Sequence, residues 1–270
     1  GPAVILMPIL FSIPESPRWL ESKGRMAEAQ RVLEKIEYRA SKKGTEALPP
    51  PDFDRYEVVT MKKVPVSEIF RGEYARRSIL LLICWMLGYA GIVYGLGAFR
   101  TLVLKNYGFS SHFIFAAGGI TAVVGGGLGF LINSWTNERI DRRTAIGASA
   151  FVFAVGTALL YFYSGYHTKS VSMTVVSMLL TSFGSGVFLF QMYNYTSAAY
   201  PTRLRSVGTG WTDGFGHMGA LVGSPVVVAL YNATAASGFI GAYLFVIIVG
   251  AIIPGALMWT LGVRQKEAIL

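Results

Sequence analysis

The chain is poor in cysteine and in charged residues. Cys84 is the single cysteine among 270 residues, so neither an internal disulfide nor a cysteine-based metal cluster can form. Charged residues make up 14% of the chain, well below the roughly one quarter that is usual in soluble domains. His112, His167 and His217 lie too far apart for metal-ligand spacing, so we expect no metal and no cofactor. These shortages disfavour a soluble enzyme, a secreted disulfide scaffold and a disordered chain.

Apolar residues are abundant instead, at 53% of the chain with a mean hydropathy of +0.48. Because a bilayer core needs about 20 apolar residues of helix, long apolar stretches predict transmembrane spans. Six such stretches occupy residues 78–104, 112–135, 144–165, 171–199, 207–231 and 239–263. The sequence therefore predicts an all-α polytopic membrane helix bundle with six transmembrane helices. No Ser-His-Asp or paired-carboxylate arrangement supports an intramembrane enzyme.

The charges lie where membrane topology would place them. Residues 14–77 hold 14 of the 24 Lys and Arg residues, and they predict a cytoplasmic loop with short amphipathic helices. Lys105 and Lys169 are the basic residues of the connectors on one side. The alternate connectors and the tail over 264–270 hold Arg139, Arg142, Arg143, Arg203, Arg205, Arg264 and Lys266. The positive-inside rule then puts both termini in the cytoplasm, and this distribution explains the basic pI without a nucleic-acid partner.

Residues 1–13 are apolar but too short to cross a bilayer. No basic segment precedes them, so they are not a secretory signal. We interpret them as the truncated end of an earlier span.

Three motifs carry a family resemblance: PESPRWL at 14–20, ERIDRR at 138–143 and YPTRLR at 200–205. Their order relative to the six spans resembles the carboxy-terminal half of a major facilitator superfamily transporter. PESPRWL is similar to the signature after the sixth helix of sugar porters. ERIDRR resembles the loop between helices eight and nine, and YPTRLR resembles a loop of the synaptic-vesicle-2-like and metabolite:proton symporter branches.

The resemblance implies one half of a twelve-helix transporter in the plasma or bacterial inner membrane. Its partners would be the lipid bilayer, the missing amino-terminal half, a small organic solute and protons. The glutamine-rich sugar-porter pattern on the seventh helix is absent, which favours the organic-acid or organic-ion branches over a sugar carrier. The function that the resemblance implies is transport of an organic acid together with protons by alternating access. The alternatives are a facilitative sugar, polyol or organic-ion carrier, and a transporter-like sensor that binds solute without moving it.

Charges between the spans suggest a cytoplasmic gate. Glu138 and Asp141 can hydrogen-bond neighbouring arginines, and such a network can break and re-form as helices move. The alternative is that these arginines only determine topology. The candidate gate residues are Glu138, Arg139, Asp141, Arg142, Arg143, Arg203 and Arg205.

Asp213 is the single acidic residue within the six predicted spans. Charged groups in spans are costly and mark ion or substrate pathways. His217 follows at i+4, on the same helix face, so the pair is a candidate proton carrier. Alternatively, Asp213 pairs with a loop arginine and His217 with a backbone carbonyl.

Four more residues are candidates for the solute pathway. Gln191 and Asn194 fall at i and i+3 of one span, where they can bind a polar solute or hold helices together. Tyr89 lies near the middle of the first span. Arg100 lies towards its outer end, where it can attract an anion or reach the lipid headgroups.

Overall fold

A computed structural model of the chain describes residues 14–43, 64–137 and 139–264. The chain divides into two compact units, Gly1–Val59 and Thr60–Leu270. The truncated span predicted over 1–13, Glu138 and residues 265–270 lie outside the described residues. In the first unit, helices cover Pro17–Ser22 and Met26–Lys43, as the amphipathic pattern predicts.

The described part of the second unit is helical and contains no strand. Six helices are long and apolar enough to cross a membrane, so the predicted six-span bundle is confirmed. Spans 1 to 6 are, in order, Gly72–Asn106, Ser111–Thr136, Arg142–Tyr163, Val171–Ala198, Arg203–Ala233 and Ile240–Leu261. We call the end where spans 1, 3 and 5 begin the basic end, because the arginines of the connectors lie there.

Three spans are not uniform α-helices. Span 1 is π-helical over five residues and span 6 over eight, while the α-helix of span 5 is interrupted. Their segments are Gly72–Gly88, Tyr89–Val93 and Tyr94–Asn106 in span 1; Thr202–Gly216 and Gly219–Ala233 in span 5; Ile240–Leu244, Phe245–Ile252 and Ile253–Leu261 in span 6.

The start of span 1 differs from the sequence-based expectation. The hydropathy of the sequence predicts that this span begins at residue 78. Instead, a 3-10 helix covers Val66–Phe70, and span 1 begins at Gly72. Arg71 separates the two because its backbone is extended, with φ −116° and ψ 152°.

Close packing between the spans depends on small residues. Span 4 packs between spans 2 and 3, while span 1 packs against spans 5 and 6. A Cβ atom at Gly184 of span 4 would lie 2.6 Å from the Phe153 nitrogen of span 3, so only glycine fits there. The glycines of span 2 have two different surroundings. Gly125 lies against span 4, whereas no described atom lies within 4 Å of a Cβ built at Gly126 or Gly127.

Candidate functional site

A polar cluster surrounds Asp213 where spans 1, 4 and 5 meet. Asp213 Oδ1 accepts a hydrogen bond from the Tyr89 hydroxyl at 2.6 Å and from the Tyr193 hydroxyl at 3.3 Å. The two hydroxyls are 2.9 Å apart. About 16 Å of helix separates Asp213 from the start of its helix at Thr202. Since the Asp213 side chain is 23% exposed, protein groups hold it on one side and leave it accessible on another.

His217 joins this cluster from the same span. Its Nε2 lies 3.9 Å from Asp213 Oδ1, and its ring stacks on Tyr89 with the centroids 4.0 Å apart. Its Nδ1 is 3.0 Å from the Tyr94 hydroxyl, and the tautomer decides which of the two donates. We call these five residues (Tyr89, Tyr94, Tyr193, Asp213 and His217) the Asp213 cluster. A carboxylate, an imidazole and three phenols in mutual contact can accept, hold and pass on a proton.

The cluster lies at an interruption of span 5, although the span as a whole, Arg203–Ala233, confirms the one expected over 207–231. The first α-helix ends at Gly216 and the next begins at Gly219. A Cβ atom at Gly219 would lie 2.1 Å from the Met86 carbonyl oxygen of span 1. Glycine at this point lets the two backbones touch, which brings the interruption directly against the residues that precede Tyr89.

Sequence reasoning does not single out Tyr193 or Trp85, yet both support the cluster. The Trp85 ring stacks on Tyr89 at a centroid distance of 5.2 Å and lies 4.6 Å from the Tyr193 ring. Its indole nitrogen donates to Thr196 Oγ1 at 3.0 Å, which fixes the ring against span 4. An aromatic residue in an apolar span has the same sequence signature whether it packs in the core or lines a site. No pattern in the sequence therefore distinguishes these two.

Gln191 and Asn194 do not belong to the Asp213 cluster. Gln191 is fully buried, and its amide nitrogen donates to Asn133 Oδ1 of span 2. The Asn194 amide lies 3.4 Å from Asn137 Oδ1, beyond the end of the same span. Of the two alternatives that the sequence leaves open, the structure favours polar contacts that join spans 2 and 4.

Arg100 also lies apart from the Asp213 cluster. Together with Thr181, Ser182 and Ser185 of span 4 it lines a cavity of about 220 Å³ between spans 1 and 4. The sequence-predicted pathway residues therefore fall into three places in the bundle: Tyr89, Asp213 and His217 together, Gln191 and Asn194 between spans 2 and 4, and Arg100 in its own cavity.

At the basic end, Asp141 begins span 3. Its Oδ1 caps the helix by accepting from the Arg143 backbone nitrogen at 3.0 Å, and its carboxylate pairs with the Arg143 guanidinium at 2.9 Å. Burial raises the pKa of this carboxyl, but the hydrogen bonds from Arg143 outweigh burial and hold the pKa below its usual value. Arg143 also donates to the Gly262 carbonyl oxygen at 2.9 Å, which ties span 3 to the end of span 6.

The two neighbouring arginines contact amide and carbonyl groups. Arg142 donates to Asn137 Oδ1 at 3.1 Å and to the Asn194 carbonyl oxygen at 3.3 Å. Arg139 donates to the Trp135 carbonyl oxygen at 2.9 Å, and its guanidinium lies over the ring of that tryptophan. These contacts join the ends of spans 2 and 4 to the start of span 3.

The remaining gate candidates lie near the start of span 5. Arg203 forms an ion pair with Glu68 of the 3-10 helix that precedes span 1. Arg205 is exposed, and Glu138 lies outside the described residues. The ion pairs and hydrogen bonds described above for the gate candidates all join residues of the second unit to one another.

Comparisons with known proteins are consistent with this architecture. The family model described as Major Facilitator Superfamily matches residues 105–268, and the one described as Sugar (and other) transporter matches residues 1–125. The resemblance drawn from the three motifs is thereby confirmed.

Curated relatives include transporters of different solutes. The chain is 27% identical to the niacin transporter NiaP of Acinetobacter baylyi, over 84% of this chain and 49% of that protein. It is 29% identical to the major myo-inositol transporter IolT of Bacillus subtilis, over 78% of this chain and 45% of that protein. It is 27% identical to the human organic cation/carnitine transporter 2, over 85% of this chain and 39% of that protein. The chain thus spans half or less of the length of these relatives.

Proposed function

The chain belongs to the major facilitator superfamily, and from this premise we propose that the whole protein transports a small organic solute in symport with protons. In this proposal the six spans pair with a second six-helix half, and the solute binds between the halves near the middle of the membrane. Alternating access results from the movement of one half against the other. We further propose that the basic end faces the cytoplasm, since the distribution of Lys and Arg follows the positive-inside rule.

The Asp213 cluster is the observation that carries the proton part of this proposal. Apart from Glu73 in the first turn of span 1, Asp213 is the single acidic side chain within the six spans, and ionisable residues inside spans typically serve ion or proton pathways. Tyr89 and Tyr193 donate to its carboxylate, while partial exposure gives a proton access to it. A proton that binds Asp213 removes the negative charge to which these hydroxyls donate, and so weakens both hydrogen bonds. Protonation is thereby linked to the contact between spans 1, 4 and 5.

The interruption of span 5 supports the same proposal. Discontinuous helices in transporters typically lie at substrate and coupling-ion sites, because their ends offer unpaired backbone groups and can hinge. Here the interruption contains His217, whose Nε2 lies 3.9 Å from Asp213 Oδ1. The π-helical segment of span 1 begins at Tyr89, and such segments are frequent at functional sites. Both irregularities lie at the cluster, which is the place where a change in protonation would have to alter helix geometry.

The solute is proposed to be an organic acid. The names of the relatives cover niacin, myo-inositol and carnitine, which are all small and polar. Two other functions predict different results in a transport assay. A facilitative carrier would equilibrate solute regardless of a pH gradient, and a sensor would bind solute without moving it.

We expect the full-length protein in proteoliposomes to accumulate solute when the outside is more acidic than the inside. A panel of radiolabelled organic acids, polyols and quaternary amines, beginning with nicotinate, myo-inositol and L-carnitine, provides the probes. A protonophore should reduce accumulation to equilibrium. Protein-free liposomes are the control for nicotinate, since a weak acid also crosses lipid unaided. Uptake that ignores the pH gradient would support the facilitative carrier, and binding without uptake would support the sensor.

The contacts at the basic end are proposed to brace a gate. Arg143 connects the start of span 3 to the end of span 6, and Arg203 connects span 5 to the 3-10 helix before span 1. Helix ends that are held together move as one body, so these contacts would transmit movement of the bundle to the opening between the halves.

Asp141→Ala should therefore lower the thermal unfolding midpoint and slow transport more than it weakens solute binding. Loss of the N-cap costs about 1 kcal/mol of unfolding free energy, and Asp141→Asn, which still caps, should lose less. Because the folded pKa of Asp141 is lowered, its ionic contribution is present at neutral pH. It should disappear as the pH falls below the unfolded value of about 3.9 and through the folded one. Equal losses in binding and in transport rate would contradict the gate and indicate a solute contact.

A further inference from the structure

The cavity at Arg100 contains a cation with no anionic partner in the part of the chain that the structure describes. Its lining includes Thr181, Ser182 and Ser185 of span 4. Among the acidic residues that the structure describes, none lines this cavity. Arg100 Nε is buried and has no hydrogen-bond partner among the described residues. An unpaired cation within a span is costly, so the site lacks the negative group that would balance it.

The position of the guanidinium argues against an anchor at the lipid headgroups. Arg100 lies about 9 Å before the end of span 1 at Asn106, so an extended side chain could reach towards that end. Instead, its Nη2 lies 3.5 Å from the place where a Cβ atom would stand at Gly118 of span 2. The side chain is therefore directed between spans 1, 2 and 4, into the bundle and not along the helix towards the headgroups.

One hydroxyl of the cavity can donate to an anion, that of Ser182. Thr181 and Ser185 donate their protons to backbone carbonyls of their own helix, which leaves their oxygens as acceptors. The Ser182 hydroxyl makes no hydrogen bond within the described part of the chain, so its proton remains free for a ligand. A guanidinium fork with one free hydroxyl donor beside it matches the two oxygens of a carboxylate.

We propose that this cavity binds the carboxylate group of the transported solute, with Arg100 as its charged partner and Ser182 as a neutral donor. The inference rests on the proposed function and narrows its solute to a carboxylate-bearing molecule. A volume of about 220 Å³ holds a small organic acid or the acidic end of a larger one. Since Arg100 lies about 9 Å along the helix from Tyr94 of the Asp213 cluster, a solute can occupy the cavity without displacing the proton site.

The test is equilibrium binding to the purified full-length protein, followed by intrinsic tryptophan fluorescence or by the shift of the thermal midpoint. The probes are isosteric pairs that differ in charge: nicotinate with nicotinamide, and benzoate with benzamide. Wild type should bind a carboxylate in preference to its amide. Arg100→Gln should weaken carboxylate binding about 10- to 100-fold and remove the preference, because charge-assisted hydrogen bonds are lost. Arg76→Gln, an exposed arginine at the start of the same span, is the matched control and should leave the preference unchanged.

Two gentler variants keep the test decisive should Arg100→Gln fold poorly. Arg100→Lys retains the charge but loses the fork, and Ser182→Ala removes only the free hydroxyl, so each should weaken carboxylate binding several-fold without lowering the midpoint of the unliganded protein. Absence of any carboxylate preference in wild type, or an unchanged preference in all three variants, overturns the proposal. Binding does not require transport. If carboxylate binding depends on Arg100 but the protein does not accumulate solute, this inference stands and the proposed symport is rejected. If the protein accumulates solute but carboxylate binding does not depend on Arg100, the symport stands and this inference is rejected.

Discussion

Asp213→Asn should abolish the accumulation of solute driven by a pH gradient while leaving downhill exchange of solute largely intact. Asparagine keeps the shape of the side chain and one oxygen that can accept from Tyr89, but it cannot bind and release a proton. In symport, the carrier changes between its outward-open and inward-open forms when it holds both the proton and the solute, or when it holds neither. A residue that stays neutral uncouples proton movement from solute movement, but it does not prevent the exchange of bound solute. The measurement is uptake in proteoliposomes with an imposed pH gradient, beside exchange of labelled for unlabelled solute at equal pH.

Glu73→Gln is the matched control for this variant. Glu73 is an acidic residue at the start of span 1, and its side chain is 67% exposed and paired with Arg77 at 3.6 Å. Neutralising it should leave both assays close to wild type. Wild-type accumulation by Asp213→Asn would reject proton coupling through this residue. Loss of exchange together with accumulation would make Asp213 a solute ligand or a structural partner instead.

Gly91→Ala should destabilise the bundle strongly, whereas Gly97→Ala on the same span should be tolerated. A Cβ atom at Gly91 would lie 2.2 Å from the Gly250 Cα and 2.7 Å from its nitrogen, where the π-helical segments of spans 1 and 6 touch. Both contacts are to backbone, which cannot move aside without shifting a whole span. We expect a loss of about 3 kcal/mol in the free energy of unfolding, the upper part of the range for overpacked cores.

Gly97 provides a close control because no described atom lies within 4 Å of a Cβ built there. Gly97→Ala should also gain slightly from the better helix propensity of alanine. The thermal midpoint of the purified full-length variants and the fraction recovered as a single folded species measure both effects. Similar midpoints for the two variants would show that spans 1 and 6 are not in backbone contact at this position.

The spans were the most predictable part of the molecule. Spans 2 to 6 lie within a few residues of the ranges expected from hydropathy. Span 1 begins earlier than expected, at Gly72. Arg71, Glu73, Arg76 and Arg77 obscured that start, because hydropathy does not recognise the charged first turns of a helix that extends beyond the apolar core. The interruption of span 5 was also missed, since Gly216 and Gly219 read as ordinary small residues of a membrane helix until their contact with span 1 is known.

The candidate site was predictable in part. Asp213 and His217 stand out in the sequence because ionisable groups are rare in spans and their spacing is that of one helix face. Gln191 appeared equally suitable by the same reasoning, yet it binds Asn133 between spans 2 and 4. Tyr193 contacts Asp213 but carries no distinguishing sequence signal.

Sequence alone predicts the six apolar helices that the described residues form, and it predicts which connectors share a side. Those features depend on the transfer of whole apolar segments into lipid and on the placement of Lys and Arg. Both are properties of each segment by itself and do not depend on its neighbours. The tertiary structure decides which polar residues meet. Contacts between Asp213, Tyr89 and Tyr193, and the isolation of Arg100 in its cavity, depend on how each helix is rotated and how closely its small residues let it approach the next. Lipid favours any rotation of an apolar helix almost equally, so only packing against the other helices selects one.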